Sequence, residues 1–160
     1  MARPRILLAD DHPDLLKALR DVMDELGEVV GAVTDGQALV DAAQQLTPDI
    51  IFTAISLPRM NGLDATRALQ TLAPESRVII LTSYQEPAYV TLAFEAGARG
   101  YILKKTALHA ELSQALLHVL AGDRYVGLGV RGEWELGDSE VTSGLASAEP
   151  SSICWGSFAR

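Results

Sequence analysis

Short apolar runs alternate with longer amphipathic segments through the first 122 residues of the chain. The apolar runs cover residues 5–9, 29–33, the stretch between Pro48 and Pro58, 77–81 and 100–103. Each run is short, is rich in Ile, Leu or Val, and is bounded by turn-forming or polar residues. This pattern predicts five strands, of which the first and the third are buried.

The segments between the apolar runs have helical periodicity. In the first segment, apolar side chains recur at three- and four-residue steps from Leu15 to Leu26, which predicts an amphipathic helix. Pro13 suits the first turn of this helix, and Gly27 ends it. Similar start and stop signals predict four more helices, at 36–46, 63–73, 87–96 and 107–121.

Five strands that alternate with five helices require parallel strands joined by right-handed crossovers. The predicted fold is therefore an α/β, doubly wound, five-stranded parallel sheet in three layers, formed by residues 3–122. We expect the flavodoxin-like strand order 2-1-3-4-5, which sets strands one and three side by side. In such sheets ligands bind at the carboxyl ends of the strands, near this switch point.

Residues 123–160 differ in composition from the rest of the chain. Gly, Ser and Glu dominate there, and apolar periodicity is lost. Apart from a short extended piece at 124–128, we expect a poorly ordered tail without a helix-turn-helix.

The charge and composition of the chain narrow the classes of function. A net charge of −8 argues against a free-standing nucleic-acid binder. The single cysteine, Cys154, excludes an intrachain disulfide and agrees with a reducing compartment. The N-terminus runs directly into the first strand, and no apolar run reaches the length needed to cross a bilayer. We therefore expect a cytoplasmic protein that does not contact the membrane.

Several side chains that could bind a ligand or take part in a reaction lie at or near the carboxyl ends of the predicted strands. They are Asp10, Asp11, Thr82, Tyr101 and Lys104. The third strand ends instead at Ala54. Because parallel strands present their carboxyl ends at one edge, we expect Asp10, Asp11 and residue 54 to meet at one crevice.

The stretch 48–62, with the sequence P-D-I-I-F-T-A-I-S-L-P-R-M-N-G, resembles the central segment of a response-regulator receiver domain. The run G-A-R-G-Y-I-L-K-K at 97–105 and the Asp11-His12 pair resemble the NarL/FixJ type of that family. The resemblance implies that Asp10 and Asp11 form a Mg²⁺ site. It also implies that Thr82, Tyr101 and Lys104 are the switch residues that sense a phosphoryl group.

Ala54 stands where this family carries its phosphoacceptor aspartate. A methyl group cannot form an aspartyl-phosphate, and Thr53 points to the opposite face of the strand. The resemblance therefore implies a receiver that is not phosphorylated at the usual site. With one carboxylate fewer, Mg²⁺ binding is expected to be weak or absent. Both a natural alanine and a substituted acceptor fit the sequence.

Each of these residues, taken alone, also has an ordinary structural interpretation. Asp10 and Asp11 can cap the first helix, and threonine is a common strand residue. Tyr101 can be a core side chain, and Lys104 a solvated surface cation. Only the joint placement of these positions favours the functional interpretation.

We expect a non-enzymatic signalling module that acts through protein–protein contacts. The resemblance places those contacts on the fourth helix, the fifth strand and the fifth helix. The implied partner is a sensor histidine kinase or a downstream protein, and a homodimer also fits.

Two other functions compete with this one. One is a truncated NarL/FixJ-type DNA-binding transcriptional regulator without its effector domain. Direct DNA binding is not expected, because residues 123–160 contain only three basic side chains, Arg124, Arg131 and Arg160. The other is a small α/β enzyme or a nucleotide binder. A nucleotide binder would need a Gly-rich loop after the first strand. The sequence D-D-H-P stands there instead.

Overall fold

The computed structural model describes residues 3–107, 109–127, 130 and 153–154. The chain divides into two compact units, Met1–Ile80 and Leu81–Arg160. None of the helices in the described part of the chain is long and apolar enough to cross a membrane.

The first unit contains three strands and three helices and ends within a fourth strand. Its elements are β1 (Arg5–Ala9), α1 (Pro13–Leu26), β2 (Glu28–Val33), α2 (Gly36–Leu46), β3 (Ile50–Thr53), α3 (Gly62–Leu72) and β4 (Arg77–Thr82). β1 pairs in parallel with β2 on one side and with β3 on the other. β3 pairs in parallel with β4.

The second unit begins with the last residues of β4. Its further elements are α4 (Pro87–Ala96), β5 (Gly100–Leu103), a 3-10 turn at Lys104–Thr106, α5 (His109–Leu120), β6 (Arg124–Val126) and β7 (Ile153–Cys154). β6 pairs in parallel with β5 and with β7. The strand order is β2-β1-β3-β4-β5-β6-β7.

The α/β class, the parallel strands, the five helices and the order 2-1-3-4-5 are confirmed, but the prediction of a five-stranded sheet is wrong. β6 extends the sheet because Tyr125 and Val126 are fully buried. The Tyr125 amide donates to the Arg99 carbonyl at 2.9 Å, and the Gly127 amide donates to the Tyr101 carbonyl at 2.8 Å. Most of the predicted 123–160 tail lies outside the described residues.

β1 and β3 are apolar because they are enclosed by other elements, whereas no residue of the edge strand β2 is fully buried. Ile6, Leu7 and Leu8 of β1 and Ile50 and Ile51 of β3 have no exposed surface. Complete burial of one such side chain stabilises a fold by about 1.5–3 kcal/mol. The near-continuous apolar runs are therefore the part of the sequence that forms the core of the first unit.

Side-chain caps fix where two of the helices begin. The Asp35 carboxylate accepts a hydrogen bond from the Ala38 amide at 2.7 Å at the start of α2. The Asn61 side-chain oxygen accepts one from the Asp64 amide at 2.9 Å at the start of α3. These bonds satisfy amides that have no partner within the helix.

The loop between β3 and α3 lies against the end of β3 and the start of α2. A side-chain carbon on Gly62 would lie 1.9 Å from the Ala54 carbonyl oxygen. A side-chain carbon on Gly36 would lie 1.7 Å from the Met60 carbonyl oxygen. The Gly62 amide also donates to the Ile55 carbonyl at 2.7 Å. Two glycines thus allow the backbone approaches that hold this loop in place.

We predict that Gly62→Ala destabilises the protein strongly, because the new methyl group would overlap the Ala54 carbonyl and force the loop away from β3. The expected loss of unfolding free energy is about 2–4 kcal/mol, at or above the usual cost of overpacking. Urea denaturation followed by circular dichroism measures it.

Gly122→Ala is the control for this variant. Gly122 has φ of +99°, but a side-chain carbon on it would meet no atom within 4 Å. Its substitution should therefore cost only about 1–2 kcal/mol of backbone strain. Equal losses in the two variants would show that the contact at Ala54 does not constrain the loop.

Candidate functional site

Three polar side chains gather where β1 ends. Asp10, Asp11 and His12 each offer a ligand atom, and these atoms lie within 4.8 Å of one another. His12 Nδ1 lies 3.0 Å from Asp10 Oδ1 and 3.1 Å from Asp11 Oδ1. Asp10 is only 1% exposed, and its Oδ1 also accepts a hydrogen bond from the His12 amide at 3.0 Å. The turn into α1 therefore holds one buried and one partly exposed carboxylate side by side.

Ala54 lies beside this cluster because of the register of β1 and β3. Ala9 pairs with Thr53, and the Ala54 amide donates to the Ala9 carbonyl at 2.9 Å. Asp10 and Ala54 are the residues that follow this pair on the two strands. Ala54 is 4% exposed, and the Thr53 hydroxyl donates to the Ala54 carbonyl at 2.9 Å.

The donor set of the cluster fits a hard divalent cation with few protein ligands. Mg²⁺ is commonly held by one or two carboxylates and keeps several waters. Asp10 and Asp11 supply two carboxylates within reach of one ion, whereas the methyl group of Ala54 supplies no oxygen. The cluster therefore meets the minimum requirement for Mg²⁺ and offers little beyond it.

In the second unit, Thr82 and Tyr101 both bond to the backbone of Tyr84. The Thr82 hydroxyl oxygen accepts a hydrogen bond from the Tyr84 amide at 3.2 Å. The Tyr101 hydroxyl donates to the Tyr84 carbonyl at 2.5 Å. Both side chains are buried, and the Tyr84 ring stacks on that of Tyr89, with centroids 4.6 Å apart. Tyr84, which no sequence motif singles out, links two of the predicted switch residues.

Burial raises the pKa of the Tyr101 hydroxyl, and the negative charge of Glu86 and of ionised Tyr89 raises it further. The neutral hydroxyl is the form that donates to the Tyr84 carbonyl. Its environment therefore keeps Tyr101 protonated well beyond the pH at which an exposed tyrosine ionises, near 10.

Lys104 starts the 3-10 turn that follows β5. Its neighbour Lys105 donates from Nζ to Gln85 Oε1 at 2.9 Å, so this turn is bonded to the segment that also carries Tyr84. The Lys104 side chain is half-buried, unlike the exposed Lys105.

A buried carboxylate anchors the same turn to β6. Glu111, on α5, is 8% exposed. Its Oε1 accepts from the Thr106 hydroxyl at 2.9 Å, and its Oε2 accepts from the Tyr125 hydroxyl at 3.0 Å. The sequence indicates this network at one residue, because the acidic Glu111 falls among apolar positions of the last helix. Its partners, however, become neighbours only when β6 joins the sheet.

The structure thus brings Asp10, Asp11 and Ala54 together in the first unit. It brings Thr82 and Tyr101 together around Tyr84 in the second. That all of these positions and Lys104 serve one site stays a prediction from the sequence.

The raised pKa of Tyr101 predicts how stability depends on pH. Because the folded state holds this proton more tightly than the unfolded state, its stabilising effect is complete below about pH 10 and is lost as pH rises further. We expect Tyr101→Phe to lose less unfolding free energy than the wild type between about pH 10 and 11.5. Denaturant titrations at several pH values measure this difference. Parallel pH profiles for the two proteins would contradict it.

Three comparisons place the chain among known proteins. Residues 6–116 match the family model of the response regulator receiver domain. Response regulator GacA of Pseudomonas aeruginosa is 35% identical over 125 residues, which are 76% of this chain and 58% of that protein. Chemotaxis protein CheY of Thermotoga maritima is 34% identical over 101 residues, 62% of this chain and 84% of that protein.

Solved structures agree with these matches. A two-component response regulator of the LuxR family from Aurantimonas is 35% identical, with a TM-score of 0.72, and the match covers 77% of this chain and 89% of that one. The receiver domain of the putative response regulator NarL from Mycobacterium tuberculosis is 27% identical. Its TM-score is 0.72, and 76% and 99% of the two chains are covered.

The chain spans little more than half the length of the GacA relatives it matches, at 58% of each. The family match itself covers well over half of this chain. The chain belongs to the response regulator receiver domain family of two-component systems.

Proposed function

We propose that this chain is a receiver module that is not phosphorylated at the usual position and that signals through protein–protein contacts. The observation that carries the proposal is Ala54. This buried residue directly follows β3, as the buried Asp10 directly follows the paired strand β1. In this interpretation Ala54 occupies the phosphoacceptor position of the family.

The chemistry of phosphoryl transfer explains why one side chain decides the question. A carboxylate can attack phosphorus and form an aspartyl-phosphate, but a methyl group cannot. The neighbouring hydroxyl of Thr53 is no substitute, because Thr53 is fully buried and its hydroxyl donates to the Ala54 carbonyl. Ser56 is exposed and lies two residues after Ala54, in the loop that leads to α3.

Asp10 and Asp11 would hold Mg²⁺, which when bound supplies positive charge at the end of β1. Because residue 54 accepts no phosphoryl group in this proposal, Thr82, Tyr101 and Lys104 would serve as phosphate-sensing switch residues only in Ala54→Asp. The bonds of Thr82 and Tyr101 to Tyr84 support this proposal, because they couple the two side chains through one short segment.

Acetyl phosphate tests the acceptor assignment. We expect no stable phosphorylation of the wild-type chain, because no carboxylate stands at position 54. Ala54→Asp should gain one phosphoryl group that is labile to base, as an acyl phosphate is. Intact-mass spectrometry or a phosphate-affinity gel measures the product.

Ala54→Asn is the matched control for that experiment. Its side chain has the size of aspartate but no nucleophilic carboxylate, so it should remain unlabelled. Stable incorporation into the wild type would show that another residue accepts the phosphoryl group.

Magnesium affinity tests the proposed ion site independently of phosphorylation. With two carboxylates, we expect a dissociation constant weaker than about 1 mM. Ala54→Asp should tighten binding by roughly tenfold by adding a third oxygen ligand, and Asp10→Asn should abolish it. Amide chemical shifts of residues 9–12 during a Mg²⁺ titration measure each constant. A wild-type constant well below 1 mM would rule out the weak site.

We further propose α4, β5 and α5 as the partner surface, with a sensor histidine kinase or a downstream protein as partner. Leu92 on α4 and Leu117 on α5 are exposed large apolar side chains, at 39% and 65%, and such side chains suit a protein contact. A homodimer, a cytoplasmic location and the absence of enzymatic activity are parts of the same proposal.

The alternative is a truncated transcriptional regulator. Several relatives are named as transcriptional regulatory proteins, and this chain covers 52% of DegU from Brevibacillus brevis. In that case the receiver would act on a DNA-binding domain supplied by the rest of such a protein. Direct DNA binding by this chain is not part of the proposal, given its net charge of −8.

A further inference from the structure

A groove opens at the amino-terminal ends of β3 and β4, at the opposite end of β3 from Ala54. It has a volume of about 200 Å³ and lies entirely within the first unit. We call it the amino-edge groove. The residues that decide its chemistry are Ala43, Pro48, Asp49, Leu72, Pro74 and Glu75.

The backbone makes the amino-edge groove electronegative. Both α2 and α3 end at it, and Thr47 and Ala73, the residues that cap the two helices, belong to its lining. A helix carries about half a negative charge at its C-terminus. Neither helix has a basic residue in its last turn. Two helix ends therefore direct carbonyl oxygens toward one small volume, and the α2 end is bonded to a cation, through Arg5 and the Leu46 carbonyl.

Two carboxylates add to this negative potential. Asp49 is held in place because its Oδ2 accepts from the Arg5 amide at 2.8 Å. Glu75 is exposed, and it forms no ion pair with any residue in the described part of the chain. No basic residue lines the groove. The nearby Arg5 donates a hydrogen bond from its guanidinium Nη2 to the Leu46 carbonyl at 2.6 Å.

The walls of the groove are apolar and firmly positioned. Leu72, which is 46% exposed, the exposed Pro74 and the buried Pro48 supply the carbon surface of the lining. The buried Ser76 hydroxyl donates to the Pro48 carbonyl at 2.6 Å, which fixes the floor between β3 and β4. A volume of about 200 Å³ is below the range typical of sites for drug-sized ligands. It suits one extended alkyl chain.

We propose that the amino-edge groove binds an alkylammonium or guanidinium group, with its alkyl stem against Leu72 and the two prolines. The cationic head lies between Glu75, Asp49 and the carbonyl ends of α2 and α3. Long basic side chains bury their methylene stems along apolar surface and keep their charge in a polar setting. The source is either a lysine or arginine of a protein partner or a free small amine.

An NMR titration of the full chain with Nα-acetyl-lysine methylamide tests the proposal. We expect saturable shifts at the amides of residues 47–49 and 73–76. The norleucine analogue, which has the same stem without the charge, should give no saturable shifts. Shifts that do not saturate, or that lie at other residues, would overturn the proposal.

Two variants separate specific binding from general attraction to an acidic protein. Glu75→Gln should weaken binding roughly twofold to fivefold, the range for one exposed ion pair. Glu95→Gln removes the same charge from α4, outside the groove lining, and should leave the affinity unchanged. Equal effects of the two variants would show non-specific attraction and overturn the proposal. Both positions are exposed, so neither variant should impair folding.

Parallel titrations identify the source of the cation. Tighter binding of blocked lysine or arginine than of the diamine cadaverine supports a basic side chain of a protein partner. Tighter binding of cadaverine supports a free amine. Failure of every cation to bind would overturn the proposal without affecting the acceptor assignment at Ala54, because the two lie at opposite ends of β3.

Discussion

The parallel pairing of β1 with β3 is the constraint on which the chemistry of the first unit depends. Its register sets Ala9 opposite Thr53 and so makes Asp10 and Ala54 neighbours. No side-chain contact is needed for this juxtaposition, since a parallel ladder aligns carboxyl ends by backbone bonds alone. The same backbone bonding continues past the strand ends, since the Ala54 amide donates to the Ala9 carbonyl at 2.9 Å. The backbone bonds that pair β1 with β3 therefore also place Ala54 beside the Asp10–His12 cluster.

The strands and helices of this fold were predictable because burial and periodicity determine them locally. The residues 5–9, 87–96 and 100–103 predicted for three elements coincide with β1, α4 and β5. β6 was missed as a strand of the sheet because its three residues are too short for a periodic signal. Tyr125 is a core residue whose hydroxyl donates to Glu111 on α5. That pairing depends on tertiary structure, which no window of sequence contains.

The candidate site likewise contains some residues that the sequence predicts and others that it does not. Asp10, Asp11 and Ala54 were predictable because each follows a strand directly, so that strand order alone brings them together. Tyr84 was not, because its role rests on its backbone amide and carbonyl, which every residue type carries. The amino-edge groove was equally hidden, since it arises where two helices end together and no motif marks helix ends that meet in space.

The acidic cluster and the amino-edge groove show two uses of charge at the ends of one strand. At the carboxyl end of β3, Asp10 is buried and its Oδ1 accepts a hydrogen bond from the His12 amide. At the amino end, Glu75 and two helix C-termini meet without a basic residue in the groove lining. Arg5 bonds to the α2 end at the Leu46 carbonyl, whereas Glu75 forms no ion pair within the described part of the chain. An exposed carboxylate of this kind beside apolar surface favours a cationic ligand with an alkyl stem. The proposed cation site lies at the end of β3 remote from Ala54, so a basic side chain bound there would engage the first unit independently of any chemistry at residue 54.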